Sequence, residues 1–167
     1  MSRDNETTDG LLSTATHDGG KFLTFQLKEE EYGLEILKVR EIIGVMDITT
    51  VPQTPGYVKG VINLRGKVIP VIDLRLKFGL PSADYGRRTC IIVVNVNLVE
   101  MGIVVDTVSE VMDIESENIE ETPSFGASLN TDYILGMGKV GGKVKILLNI
   151  DKVLTSSELV LLDKMQN

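Results

Sequence analysis

The fold of this chain is indicated by the stretch Val61-Ile62-Asn63-Leu64-Arg65-Gly66-Lys67-Val68-Ile69-Pro70-Val71-Ile72. Two apolar runs rich in valine and isoleucine, 61–64 and 67–72, lie on either side of Arg65-Gly66. Two β-rich runs separated by two residues predict a tight hairpin. Gly66 suits this turn because glycine adopts positive φ without steric cost. The stretch therefore predicts two antiparallel strands with Arg65 at the tip.

A second pair of β-rich runs has the same arrangement. The runs 133–140 and 143–148 flank Gly141-Gly142, which can supply positive φ at both turn positions. Between the two hairpins, the runs 90–94 and 99–114 are rich in valine and isoleucine. Short strands separated by glycine and proline turns are typical of small barrels or sandwiches. The predicted fold class is all-β.

Helical signals are short. Ile36 to Ile43 spaces apolar residues at i, i+3, i+4 and i+7, which predicts one or two helical turns. Asp73 as a cap and Gly79 as a stop predict a short helix between them. Thr155-x-x-Glu158 is a capping box before an apolar run, so a C-terminal helix is expected.

The length and texture of the chain predict its organisation. A chain of 167 residues suits one domain. Residues 1–20 are rich in Thr, Asp, Gly and Ser, with Leu11-Leu12 as the only apolar pair. This composition predicts a flexible N-terminal tail, because it cannot bury enough apolar surface to offset the entropy lost on ordering. The β-rich domain spans 21–154, with an internal seam expected near the polar connection 80–89. Residues 155–167 form the expected C-terminal helix.

Charge and hydropathy exclude two classes of partner. The chain has 17 Lys+Arg against 24 Asp+Glu, a net charge of −7, and no cluster of Lys and Arg. Nucleic-acid binding depends on clustered cations and is therefore not expected. No apolar run approaches the roughly 20 residues that span a bilayer, and the N-terminus lacks a secretory h-region. We expect a cytoplasmic protein with no direct membrane insertion.

The residues that could perform chemistry are few. His17 is the single histidine and lies in the predicted tail, where it cannot be held against a nucleophile. Cys90 is the single cysteine and is interpreted as a small buried hydrophobe. The glycines of 136–143 lack the spacing of a phosphate-binding loop, and the acidic residues of 113–121 lack the calcium-binding spacing. We predict no catalytic residue, metal site or cofactor, and hence no enzyme.

Arg65 leaves two interpretations open. Its guanidinium at a hairpin tip could reach a carboxylate or a carbonyl of a partner protein. The same stretch could equally be an ordinary hairpin with a solvated arginine. Physical reasoning on these residues alone does not separate the two.

Several segments resemble, in order, those of the CheW family. They begin with Val39-Arg40-Glu41-Ile42 and continue through the long motif 55–66, which contains Asn63-Leu64-Arg65-Gly66. The remaining matching segments are 69–75, 102–106, 133–136 and 146–154. The resemblance covers roughly residues 21–154, so it concerns a whole domain rather than one motif.

The resemblance implies two five-stranded SH3-like barrels that share a hydrophobic core. It also implies a scaffold that couples methyl-accepting chemotaxis receptors to the histidine kinase CheA, binding the receptors' cytoplasmic tips and the kinase's regulatory domain. Such a protein is associated with membrane receptor arrays only through its partners. The positions matching the family's receptor-binding groove are Val39, Glu41, Gly60 and Arg65. Asn63 adjoins the motif and could simply set the hairpin.

Two other functions are compatible with the sequence. One is a small barrel that binds or transforms a ligand, which would require convergent polar groups and carboxyls of shifted pKa in a pocket. The other keeps the scaffold but places it in a motility or developmental pathway organised like chemotaxis.

Overall fold

The chain is described by a computed structural model that covers residues 18–123 and 131–165. Within these residues eleven strands form one sheet of six and one of five. The strands are β1 (Gly19–Leu27), β2 (Glu30–Glu35), β3 (Val39–Gly44), β4 (Val58–Leu64), β5 (Lys67–Asp73), β6 (Cys90–Val96), β7 (Val99–Val105), β8 (Thr107–Glu115), β9 (Ile119–Glu120), β10 (Ile134–Val140) and β11 (Lys143–Leu148). The six-stranded order is β9-β10-β11-β2-β1-β8, and the five-stranded order is β3-β6-β7-β5-β4.

Each sheet curls until its two outer strands meet. In the six-stranded sheet, β8 lies at one edge and continues through the 3-10 helix Ser116–Asn118 into β9 at the other edge. In the five-stranded sheet, the chain beyond β3 returns to β4, where Thr49 and Val61 exchange backbone hydrogen bonds of 2.8 and 2.9 Å. The predicted all-β fold of two small barrels is confirmed, and the two-residue strand β9 makes one sheet six-stranded.

The two barrels share a core, because strands between them are buried on both faces. In β6, Ile91 and Val93 point into their own barrel, together with Ile62 of β4. Ile92 and Val94 alternate with them and join a larger cluster with residues of both sheets. Period-two alternation with both faces buried explains why these strands are continuous runs of valine and isoleucine.

The seam predicted at 80–89 is in the wrong place. That segment joins β5 to β6, which belong to the same five-stranded sheet. The chain instead passes between the barrels at the 3-10 helix Ile36–Lys38 and returns at Asp106, so the five-stranded barrel is inserted between β2 and β8. Ion pairs hold both crossings, with Lys38 at 2.8 Å from Asp151 and Arg75 at 2.7 Å from Asp106.

The structure moves the boundary of the predicted tail. Residues 1–17, which include His17, lie outside the described residues. Gly19 and Gly20 belong to the predicted tail, but they begin β1 and pair with Glu115 and Ile114 of β8. The domain therefore begins two residues before the predicted boundary at residue 21.

Both predicted hairpin turns are confirmed, and both have positive φ at their two central residues. Arg65 and Gly66 have φ of 53° and 87°, and Gly141 and Gly142 have φ of 59° and 78°. This is the geometry of a type I′ turn, whose twist matches that of the flanking strands. The Asn63 side chain accepts a hydrogen bond of 2.8 Å from the backbone N–H of Gly66, so this residue sets the turn.

The helical prediction for residues 36–43 is correct for only one turn. Ile36–Lys38 forms a 3-10 helix, and β3 begins at Val39 and pairs with β6. The apolar spacing fits a helix, but pairing with β6 provides the backbone hydrogen bonds of β3. The residues along β3 then alternate between half-buried and exposed.

The two predicted helices are confirmed. Helix α1 (Leu74–Lys77) begins after Asp73, whose side chain accepts from the backbone N–H of Leu76. Helix α2 (Ser156–Met165) has the capping box: the Glu158 carboxylate accepts from the Thr155 backbone N–H at 2.7 Å, and the Thr155 hydroxyl accepts from the Glu158 backbone N–H at 3.2 Å. Residues 166 and 167 of the predicted helix lie outside the described residues.

Glu158 attaches helix α2 to the five-stranded barrel. Its carboxylate accepts a hydrogen bond of 2.5 Å from the Tyr57 hydroxyl and lies 2.9 Å from the Lys77 ammonium. Partial burial raises the pKa of Glu158, but hydrogen bonds from Tyr57, from the Thr155 backbone and from Lys77 outweigh it and lower the pKa to about 2. The buried side chain of Leu162 anchors the next part of the helix.

Replacing Glu158 by glutamine is expected to destabilise the protein in a pH-dependent way. The folded-state pKa of about 2 lies below the ordinary value of 4.5, so the ionised carboxylate stabilises the fold above about pH 4.5. This contribution declines as the pH falls toward 2. Thermal melts followed by circular dichroism should show Glu158→Gln well below the native Tm at pH 7, with a smaller difference at pH 3. Glu29→Gln, at an exposed turn, serves as the control, and a pH-independent difference would contradict this role.

Candidate functional site

Two of the predicted site residues form an ion pair that joins the outer strands of the five-stranded barrel. Arg65 at the β4–β5 turn donates to Glu41 of β3 through both terminal nitrogens, with Nη1 at 3.3 Å from Oε2. The hydrogen bonds to Glu41, followed by its charge, raise the pKa of Arg65 above its ordinary value. A two-point contact between guanidinium and carboxylate fixes the orientation of both groups.

A bulge in β3 orients Glu41. Val39 pairs with Val94 and Glu41 pairs with Val93, so Arg40 is an extra residue in the ladder. A bulge of this kind bends a strand and redirects its side chains. Val39 is half-buried and packs against the shared core, two residues before Glu41.

Gly60 lies where two backbone segments approach closely. Its φ is 141°, a conformation that side chains rarely adopt. A Cβ at this position would lie 2.0 Å from the carbonyl oxygen of Thr49, the residue that closes the barrel against Val61. Gly60 is therefore required by the closure of the barrel.

A family model described as a CheW-like domain matches residues 21–158. The chain belongs to the CheW family. It is 45% identical over 145 residues to a Klebsiella aerogenes protein named "Chemotaxis protein CheW", and the match covers 87% of each chain. It is 34% identical over 143 residues to a Treponema pallidum protein of the same name, covering 83% of this chain and 84% of the other. Among solved structures, the scaffolding protein TtCheW from Thermoanaerobacter tengcongensis is similar with a TM-score of 0.75 and 35% identity, covering 84% of this chain and 95% of that one.

The four positions taken from the CheW resemblance have different structural roles. Glu41 and Arg65 contact each other, and Val39 lies on the same strand as Glu41. Gly60 belongs to β4, five residues before Arg65, and a Cβ at this position would meet Thr49. Arg65 is the most open of the charged pair, with 69% of its side chain exposed against 33% for Glu41.

Sequence reasoning on this CheW-family chain missed a second set of charges beside the pair. Glu100 of β7 lies 2.7 Å from the Lys67 ammonium and 3.7 Å from Arg40 Nε. These residues come from three strands, and Glu100 is 33 positions from Lys67 in the chain. No local signal links them, because their proximity depends on the parallel pairing of β5 with β7 and on the antiparallel pairing of β6 with both β3 and β7.

Features of catalytic or metal sites are few in residues 18–123 and 131–165. No group of three or more His, Cys, Asp and Glu side chains there could hold a metal ion. Cys90 packs against the shared core but is only half-buried, which corrects its interpretation as a buried hydrophobe, and its sulfur lies 3.4 Å from the Arg88 carbonyl oxygen. Among the described helices, none has the length and hydropathy needed to cross a membrane.

Proposed function

We propose that this chain is a non-enzymatic adaptor that couples the cytoplasmic tips of methyl-accepting chemotaxis receptors to the histidine kinase CheA. The observation that carries the proposal is the family match across residues 21–158, with relatives named as chemotaxis proteins and a similar structure titled a scaffolding protein. The adaptor works in the cytoplasm and is associated with membrane receptor arrays through its partners. It uses no metal or cofactor.

The receptor contacts the surface around the β4–β5 turn. Val39, Glu41 and Arg65 contribute side chains to this contact, and Gly60 keeps the barrel closed beneath it. Support comes from the exposure of Arg65, whose guanidinium has five N–H donors and uses only some of them on Glu41. Because the Glu41 carboxylate already orients the Arg65 guanidinium, this group loses less conformational freedom when a partner binds.

The carboxyls with lowered pKa favour an adaptor function over that of a barrel that binds or transforms a ligand. Partial burial raises the pKa of Asp106, but the hydrogen bonds from Arg75 and from the Lys28 backbone outweigh it and lower the pKa. Both Asp106 oxygens are engaged by Arg75 at 2.7 Å, and Glu158 is engaged by Tyr57 and by Lys77. These groups hold the barrels and helix α2 in place, which is a structural use of their charge.

The proposal is tested by titrating the chain with each partner separately. Isothermal calorimetry should detect saturable binding to a receptor-tip fragment and to the regulatory domain of CheA. The regulatory domain of CheA should bind equally well in the presence of saturating receptor fragment, because we propose that it binds a surface separate from the one around the β4–β5 turn. Absence of binding to both partners, with a folded chain, would contradict the proposal.

A further inference from the structure

The β6–β7 turn holds a leucine in a conformation that favours glycine or asparagine. Asn97 and Leu98 have φ of 49° and 69°, and Val96 pairs with Val99 across the turn. A bulky residue at positive φ is uncommon because its Cβ crowds the backbone. The Leu98 side chain is 94% exposed, so packing within the described residues does not offset this cost. A single exposed leucine is common on protein surfaces, so its surroundings decide its meaning.

Leu98 lies in the turn that leads into β7, two residues before Glu100. The carboxylate of Glu100 is between two cations, with Lys67 at 2.7 Å and Arg40 at 3.7 Å. The side chains of Arg40 and Lys67 are 58% and 61% exposed, whereas that of Glu100 is 18% exposed. The cations therefore face the solvent, and the carboxylate that positions them is set back.

The ion pair at the β4–β5 turn is arranged in the same way, with a cation that is more exposed than its carboxylate. Arg65, two residues before Lys67, is more exposed than its partner Glu41, the neighbour of Arg40 in β3. The charge of Glu100 also helps to raise the pKa of Arg65. An acidic chain of net charge −7 thus presents three exposed cations around Glu41 and Glu100, and an exposed leucine two residues before Glu100. Complementary charge at an interface favours an acidic partner.

We infer that Leu98, Arg40 and Lys67 extend the receptor site across the β6–β7 turn. They fit a helical surface that carries acidic side chains next to an apolar depression. Leu98 is the apolar anchor, the two cations contact the acidic side chains, and Glu100 is a positioning residue that holds both cations. The inference rests on the proposed function for the identity of the partner.

The contribution of Leu98 is tested with Leu98→Asn. Asparagine tolerates positive φ, so the turn should keep its stability while losing the apolar side chain. Calorimetric titration with a receptor-tip fragment should show about tenfold weaker binding, the size expected when the burial of a leucine is lost. Val144→Thr, which changes an exposed valine of β11 on the other barrel, should bind like the native chain.

The contribution of charge is tested with Lys67→Gln at two salt concentrations. At 0.1 M NaCl we expect about threefold weaker receptor binding, and at 1 M NaCl the difference should vanish because the Debye length falls to about 3 Å. The effect of Leu98→Asn should persist at both concentrations. Lys139→Gln is the matched control, since Lys139 is also an exposed lysine with a carboxylate partner, Glu120.

The outcomes separate this inference from the proposed function. If Leu98→Asn and Lys67→Gln bind the receptor fragment like their controls while Arg65→Glu does not, the extension is wrong and the receptor site stands. If the two variants weaken binding to the kinase regulatory domain instead, this surface belongs to the kinase and the inference is overturned. If the native chain does not bind the receptor fragment, both proposals fall.

Discussion

Replacing Gly60 by alanine is expected to lower the free energy of unfolding by about 3–5 kcal/mol, because the new Cβ strains the backbone and breaks two hydrogen bonds. The methyl group would lie 2.0 Å from the carbonyl oxygen of Thr49, and a backbone atom cannot rotate away. The hydrogen bonds between Thr49 and Val61 would be lost with the displacement. A chain of this size should show a Tm lower by roughly 10 °C.

The matched control for this experiment is Gly44→Ala, at the end of β3 in the same barrel. A Cβ there meets nothing within 4 Å, so the Tm should stay close to the native value. Equal melting temperatures for the two alanine variants would mean that the Thr49 bridge does not close the barrel in solution. We expect any loss of receptor binding in Gly60→Ala to result from unfolding of the barrel and not from a lost contact at residue 60.

The second large effect is expected from reversing the charge of Arg65. Arg65→Glu places two carboxylates together at the β4–β5 turn and should weaken receptor binding about thirtyfold, because an attractive interface charge becomes a repulsive one. Glu41→Lys should also weaken binding, since the lysine repels Arg65 and removes its orientation. Binding to the kinase regulatory domain should remain unchanged in both variants. Calorimetric titrations measure both affinities, with circular dichroism as the folding control.

The double variant Glu41→Arg with Arg65→Glu separates two roles of the pair. The exchange restores an ion pair across the outer strands, so the Tm should return toward the native value. Receptor affinity should stay low, because the exposed member of the pair is now negative. Recovery of affinity together with Tm would show that the pair only braces the barrel, and our placement of the receptor contact at Arg65 would be wrong.

Local chemistry explains which parts of the fold could be predicted from the sequence. The turns at Arg65-Gly66 and Gly141-Gly142, and the capping box of Thr155 and Glu158, depend on residues only a few positions apart. The seam between barrels could not be placed, because it depends on parallel pairing of β2 with β11, which joins residues such as Tyr32 and Ile146. Long-range pairing leaves no periodic signal in either strand.

The candidate site, too, was only partly predictable from the sequence. The resemblance supplied Val39, Glu41, Gly60 and Arg65, but it did not say that Glu41 and Arg65 bind each other. That contact spans 24 residues and exists because the barrel closes. Glu100 was missed for the same reason, since nothing in its own strand marks it as the partner of Lys67.

The coupling of receptor to kinase is tested most directly by kinase activity in a reconstituted mixture. Receptor arrays in native membranes, CheA and ATP are combined with and without this chain, and autophosphorylation of CheA is measured. Receptor control of the kinase should require the native chain and be largely lost with Arg65→Glu. Kinase activity that is the same with and without the folded native chain would contradict the adaptor function.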